Sequence, residues 1–140
     1  MATGTAGATF PFELVSPERL LVSGEVRSVV VPGSEGEFEV LPHHAPFLTV
    51  LRPGILRVTG AAGEEQRIFV RSGFADVNGL GLTVLAEEAV PVEQLKADRM
   101  ALSIRDAEEI VAAAKDPVAR AEAERTVASL REIQASLKLG

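Results

Sequence analysis

Two adjacent histidines, His43 and His44, hold all the imidazole of this 140-residue chain, within the run Leu41-Pro42-His43-His44-Ala45-Pro46. Neighbouring residues on extended backbone project to opposite sides, which makes them poor joint ligands for one metal ion. Three carboxylates precede them at period-two spacing, Glu35, Glu37 and Glu39. A carboxylate pair does acid–base work only where its surroundings split the two pKa values. Three like charges on one strand face read instead as a solvated edge or docking patch, which also discourages sheet-to-sheet aggregation. The chain has no cysteine, so disulfides, thiolate metal sites and cysteine nucleophiles are excluded. No serine sits in a nucleophile-elbow pattern, and no P-loop sequence occurs. Gly79-Leu80-Gly81 leads into an extended run, not a helix, so it is no dinucleotide fingerprint. Arg120, Arg125, Arg131 and Lys138 could meet an acidic partner, but Glu122, Glu124 and Glu132 are interspersed and make a solvated, locally paired helix the simpler reading. No catalytic residue and no metal site is expected. What remains is a surface, with His44 holding or presenting a rigid corner.

The elements that position this corner follow from turn chemistry and periodicity. Phe38 and Val40 alternate with Glu37 and Glu39, as on a strand with one buried face. Pro42 and Pro46 break the ladder, and Phe47-Leu48-Thr49-Val50-Leu51 resumes an extended run. Eight strands are expected, over 10–15, 20–31, 37–41, 47–51, 55–59, 66–71, 74–77 and 80–85. Ser16-Pro17, Pro32-Gly33, Pro53-Gly54, Gly60 to Gly63, Ser72-Gly73 and Asn78-Gly79 supply the turns between them, the last suited to a tight type I′ hairpin. All six phenylalanines lie before residue 75, and from Glu93 the chain is rich in alanine and free of aromatics. Pro91 suits a helix start, a helix follows over 93–115, and Asp116-Pro117 caps and opens a second. Leu95 and Leu102, and the pair Ile104 and Val111, are each seven residues apart in the first, while Leu130, Ile133 and Leu137 share a face of the second with Ala123 and Val127. The connection is short enough to require an antiparallel pair. The predicted fold is α+β and mainly β: an antiparallel β-sandwich over 1–90, then a two-helix hairpin over 91–140.

Charge excludes some functions. The first 92 residues carry 11 acids and 6 bases, a net of −5, against 9 acids and 8 bases beyond, which give the remaining −1 of the total −6. Such a chain, with few aromatics and no basic patch, is a poor nucleic-acid binder. No apolar run reaches transmembrane length. Met1 to Thr9 have no basic residue and no apolar segment, so no secretory or mitochondrial leader is expected.

Gly33-Ser34-Glu35-Gly36-Glu37 through Val40-Leu41-Pro42, then His44-Ala45-Pro46 and Leu51-Arg52-Pro53-Gly54, resemble the signature of the epsilon subunit of F-type ATP synthases, called delta in mitochondria. Phe12 to Glu18, Arg71 to Val77 and Leu82 to Ala89 are similar to further strands of that family, so the likeness spans nearly the whole chain. It implies a non-catalytic central-stalk subunit whose sandwich grips the gamma subunit and rests on the c-subunit ring, coupling proton-driven rotation to ATP synthesis elsewhere. It places Glu35, Glu37 and His44 at the interface with the c ring and gamma. It implies a peripheral location on the cytoplasmic side of a bacterial inner membrane, reached only through the complex. The family's hairpin can extend toward the alpha and beta subunits and inhibit ATP hydrolysis, which would engage Arg120, Arg125 and Arg131. Its ATP motif survives here only in part: Leu95 and Arg99 match, whereas Lys96 replaces an acid and Met100 an alanine. No cofactor is therefore expected. His43 and Ser72 stand where the family often has glycine. A free-standing enzyme or ligand-binding sandwich would need a convergent polar pocket, for which the residues are missing.

Overall fold

A computed structural model describes residues 8–139; most of the stretch read for a leader lies outside them. Seven strands come first: β1 (Phe10–Val15), β2 (Leu20–Gly33), β3 (Gly36–Val40), β4 (Phe47–Val50), β5 (Gly54–Gly60), β6 (Glu65–Asn78) and β7 (Gly81–Pro91). A single 3₁₀ turn (Val92–Gln94) leads to helices α1 (Ala97–Ala113) and α2 (Pro117–Ser136). The chain divides after Val92 into two compact units.

In the first unit the strands run in the order β1-β7-β6-β5-β2-β3, and β1 also pairs with β2, so five strands close into a ring. β3 hangs from β2 and β4 from β6, leaving two open edges. β1 and β7 pair in parallel, a departure from the all-antiparallel expectation, and every other pairing is antiparallel. Period-two alternation gives β1 its inward set of Phe10, Phe12 and Leu14. These join Val29, Val31, Val40, Leu56, Val58, Val70, Val77 and Val84 in one apolar core, each large side chain contributing about 1.5–3 kcal/mol.

Two strands expected over 66–71 and 74–77 are one strand, β6. Its register against β7 is unbroken from Ile68↔Pro91 to Asn78↔Gly81, but its other side changes partner, from β5 (up to Val70) to β4 (from Phe74). The change falls on Ser72 (φ 61) and Gly73 (φ 126). Ile68 and Val70 join the sandwich core before this kink and Ala75 and Val77 after it, while Phe69 is buried outside that core, so the odd–even assignment of the core face inverts there. The Ser72-Gly73 signal thus marks an inversion of period within one strand, not a turn between two. The β6–β7 hairpin differs from expectation as well. Asn78 pairs with Gly81, so Gly79 and Leu80 form the loop, and the positive φ falls on Gly81 (150), not within the loop. A type I′ turn would need positive φ at both loop residues.

The second unit is the expected hairpin with shifted limits. Pro91 ends β7 and leads into the 3₁₀ turn, and α1 begins only at Ala97, after Lys96. The buried stripe of α1 is Met100, Ser103, Ile104 and Ala107, spaced i, i+3, i+4, i+7. Leu102, read as part of the seam, is 53% exposed, because it lies off that stripe. On α2, Ala123, Leu130 and Ile133 are buried as expected.

Replacing Gly73 by alanine would place Cβ 1.8 Å from the Leu85 carbonyl oxygen. Gly73→Ala is therefore expected to destabilise the sandwich by about 3 kcal/mol or more, as a backbone clash at positive φ should. Ser72→Gly relieves an unfavourable φ and should shift stability by at most about 1 kcal/mol, toward greater stability. Urea unfolding of both variants tests the pair, and a Gly73→Ala midpoint equal to the parent's would refute the account.

Candidate functional site: the corner and the open edges

The corner begins where Val40 leaves β3 and ends where Phe47 enters β4. His43 takes the left-handed conformation (φ 65), a region that histidine visits more readily than most side chains. This explains physically why a glycine would also serve at position 43, and φ 61 does the same for Ser72. His44 is half-buried, and its ring meets Phe10 of β1 edge-on at 5.4 Å and 84°. Its Nδ1 is buried without a hydrogen-bond partner. The imidazole therefore works here as a packing group that pins the corner to β1. Phe38 of β3 and Phe47 of β4 meet edge-to-face at 5.1 Å, a contact worth about 0.5–1.5 kcal/mol beyond its burial. It joins the two open edges across a cleft of about 450 Å³ that Leu41, His43, His44 and Val77 also line.

The three expected carboxylates are not equivalent. Gly33 pairs with Gly36, so Glu35 belongs to the two-residue turn Ser34-Glu35 and not to the strand. Glu37 and Glu39 do project outward from β3, opposite Phe38 and Val40. Glu37 lies 3.6 Å from the Arg57 guanidinium on β5, both half-exposed, a pair worth at most about 1 kcal/mol. Glu37 and the corner sit toward opposite ends of β3, about 10 Å apart at some 3.3 Å per residue. Among the described residues no group of three or more His, Asp or Glu side chains could hold a metal ion.

The strand over β4 is as expected, but its exposure is not among the expectations drawn from the sequence. Phe47, Leu48 and Val50 are 50%, 67% and 61% exposed, although the run looks like core. Phe47 and Thr49 oppose the buried Val77 and Ala75, while Leu48 and Val50 point outward opposite Asp76 and Phe74. Phe74 in turn pairs with Leu85. Val50, Phe74 and Leu85 thus form an outward apolar stripe across β4, β6 and β7, widened by Leu48. A signal was present: five residues with a single hydroxyl and no alternation require cover on both faces.

In the hairpin, Leu95 is buried ahead of α1 and Arg99 is exposed in its first turn. Lys96 occupies the N-cap with extended backbone but offers no acceptor to the helix. Arg131 donates to Glu108 on α1, and Arg120 Nη2 donates to the Ala114 carbonyl at 3.2 Å. Both arginines thus bind the hairpin together. Arg125 lies exposed on α2. Asp116 caps α2, accepting the Ala119 N–H at 2.8 Å.

A closed strand ring with two open edges, an apolar outer stripe and a separate helical hairpin defines an interaction module of a larger assembly. The family model for the β-sandwich domain of the ATP synthase delta/epsilon chain matches residues 9–92. The ATP synthase epsilon chain of Mesorhizobium japonicum is 48% identical over 128 residues, covering 91% of this chain and 95% of that one. That of Maricaulis maris is 50% identical over 124 residues, covering 89% and 92%. A chain of the Euglena gracilis mitochondrial ATP synthase, solved with OSCP, F1 and the c ring, superposes with a TM-score of 0.71 at 26% identity, covering 93% of this chain and 82% of that one. The chain belongs to the ATP synthase delta/epsilon family. It is accordingly a non-catalytic subunit of that enzyme. No helix among the described residues is long and apolar enough to cross a membrane.

The two helix starts make opposite predictions. Asp116→Ala removes a working cap and should cost about 1 kcal/mol, whereas Lys96→Asp supplies a missing one and should add about as much. Helical circular dichroism during thermal unfolding checks both signs.

Proposed function

We propose that this chain is the epsilon-type rotor subunit of a bacterial ATP synthase, seated peripherally on the cytoplasmic side of the inner membrane. Its sandwich docks on the gamma subunit and on the ring of c subunits, so that rotation driven by proton flow passes through it to the stalk. The carrying observation is the outward stripe of Leu48, Val50 and Phe74, which this chain leaves exposed in its own sandwich, continued by the part-buried Leu85. An apolar strip of this kind suits the well-packed centre of a permanent interface, and we assign it to gamma. The corner with His44, together with Glu35 and Glu37, suits the polar loops of the c ring, where charge fixes register more than affinity. The likeness to a chain of an assembly solved with its c ring supports this assignment. Glu37 would exchange Arg57 for a rotor partner at little cost, because the exposed pair is weak.

The hairpin is the domain through which the subunit would reach the alpha and beta subunits and restrain ATP hydrolysis. Arg120 and Arg131 are engaged inside the folded hairpin, so a brake acting through them works only after α1 and α2 part. No nucleotide is assigned to Leu95 and Arg99, because Lys96 brings a positive charge where the motif has an acid.

Leu48→Asp, a change at an exposed position, should leave folding intact and weaken binding to gamma by on the order of tenfold or more. Glu37→Lys should lower proton-coupled ATP synthesis in reassembled membranes while gamma binding persists. Undiminished gamma binding by Leu48→Asp would sink the assignment of the stripe. For the hairpin, calorimetry should show no ATP heat from the parent chain; clear binding would mean that Lys96 does not disable the site.

A further inference from the structure

We propose that Asn78 is a site of spontaneous covalent modification in the folded chain, its carboxamide being attacked by the Gly79 nitrogen and converted to aspartate or isoaspartate. Asn78 is the only asparagine in the sequence, and it is followed by glycine. It is the last residue of β6, with Gly79 and Leu80 forming the loop to β7. The Leu80 N–H donates to Asn78 Oδ1 at 2.8 Å. That bond folds the side chain back over the loop, so the hydrogen-bonded ring contains both the Asn78 Cγ and the Gly79 nitrogen. It also draws electron density from Cγ, as a donor on any carbonyl oxygen does, and stabilises the charge that grows on Oδ1 during attack.

The nucleophile is equally accessible. Gly79 is exposed, and no heavy atom lies within 4 Å of the position a Cβ would take. No acceptor among the described residues receives its N–H. Leu80 is 84% exposed, so base and water reach the loop. The Gly79 nitrogen bonds to Cγ, the Cγ–Nδ2 bond breaks, and ammonia leaves carrying the proton from the Gly79 amide. Water then opens the five-membered imide. Cleavage at Cγ gives aspartate; cleavage at the main-chain carbonyl gives isoaspartate. No electron is transferred.

The products differ in consequence. Aspartate places a further carboxylate on a cleft of about 330 Å³ that Glu13 and Glu25 already line. Isoaspartate adds a backbone carbon to a two-residue loop, which cannot keep the Asn78↔Gly81 pairing unchanged.

The test is incubation of the folded full-length chain in warm, mildly alkaline buffer, followed by intact mass, peptide mapping and isoaspartyl methylation. The expected result is a gain equal to the mass difference between water and ammonia, on the peptide holding Asn78, with isoaspartate detected. The gain should quicken as the buffer becomes more alkaline. Asn78→Gly should abolish it. Gly79→Ala, for which there is room and an ordinary φ, should slow it several-fold without loss of fold by circular dichroism. Modification of the urea-unfolded chain alone, with the folded chain unchanged, would overturn the proposal, as would persistence of the gain in Asn78→Gly.

Discussion

The structure depends on one strand serving three neighbours. β6 pairs with β7 along its length, and hands its other side from β5 to β4 at Ser72-Gly73. The hand-over requires positive φ at both residues and a backbone that passes against the Leu85 carbonyl, where a Cβ has no room. The Gly73 carbonyl, so displaced, accepts the Leu51 N–H at 2.9 Å. β4 pairs along its length only with β6; its end is also tied to the end of β2, where the Ser34 N–H donates to the Val50 carbonyl at 2.8 Å and Leu51 bridges Gly33. The corner, the edge-to-face contact of Phe38 and Phe47 and the outward stripe therefore depend on this kink together with the end of β2.

Much of this was legible beforehand because turn residues and alternation carry local physics. Phe10, Phe12 and Leu14 alternate on β1, Phe38 and Val40 on β3, and Asp116-Pro117 announces α2; each lies where its chemistry places it. What escaped was non-local. Nothing in Ser72-Gly73 alone separates a turn from a kink within one strand, since both use positive φ. The parallel pairing of β1 with β7 comes from closure of the ring, which no single segment encodes. Seven-residue spacing points to Leu102, whereas the buried stripe is Met100, Ser103, Ile104 and Ala107, a pattern that only the facing helix selects.

The candidate site was legible as residue types but not as an arrangement. Glu35, Glu37 and Glu39 look identical in sequence, yet one lies in a turn, one faces Arg57 and one is open to solvent. His44 looks like a chemical group and is a packing group, because its neighbour in space is Phe10, more than thirty positions away in sequence. The exposure of β4 was the least visible. An apolar run is the same string of letters whether its own chain or another protein covers it.

The joint between the helices has a mechanical consequence. Pro117 has no amide hydrogen, so the hydrogen bond that would carry α1 straight on into α2 cannot form, and its ring crowds the preceding turn. Joining the two helices, about 25 and 30 Å long at 1.5 Å per residue, into one straight rod would cost about 3 kcal/mol or more at this proline. Swinging two stiff arms about this elbow is the cheaper motion, and the span of the unit is then set by the angle at the elbow, not by helix growth.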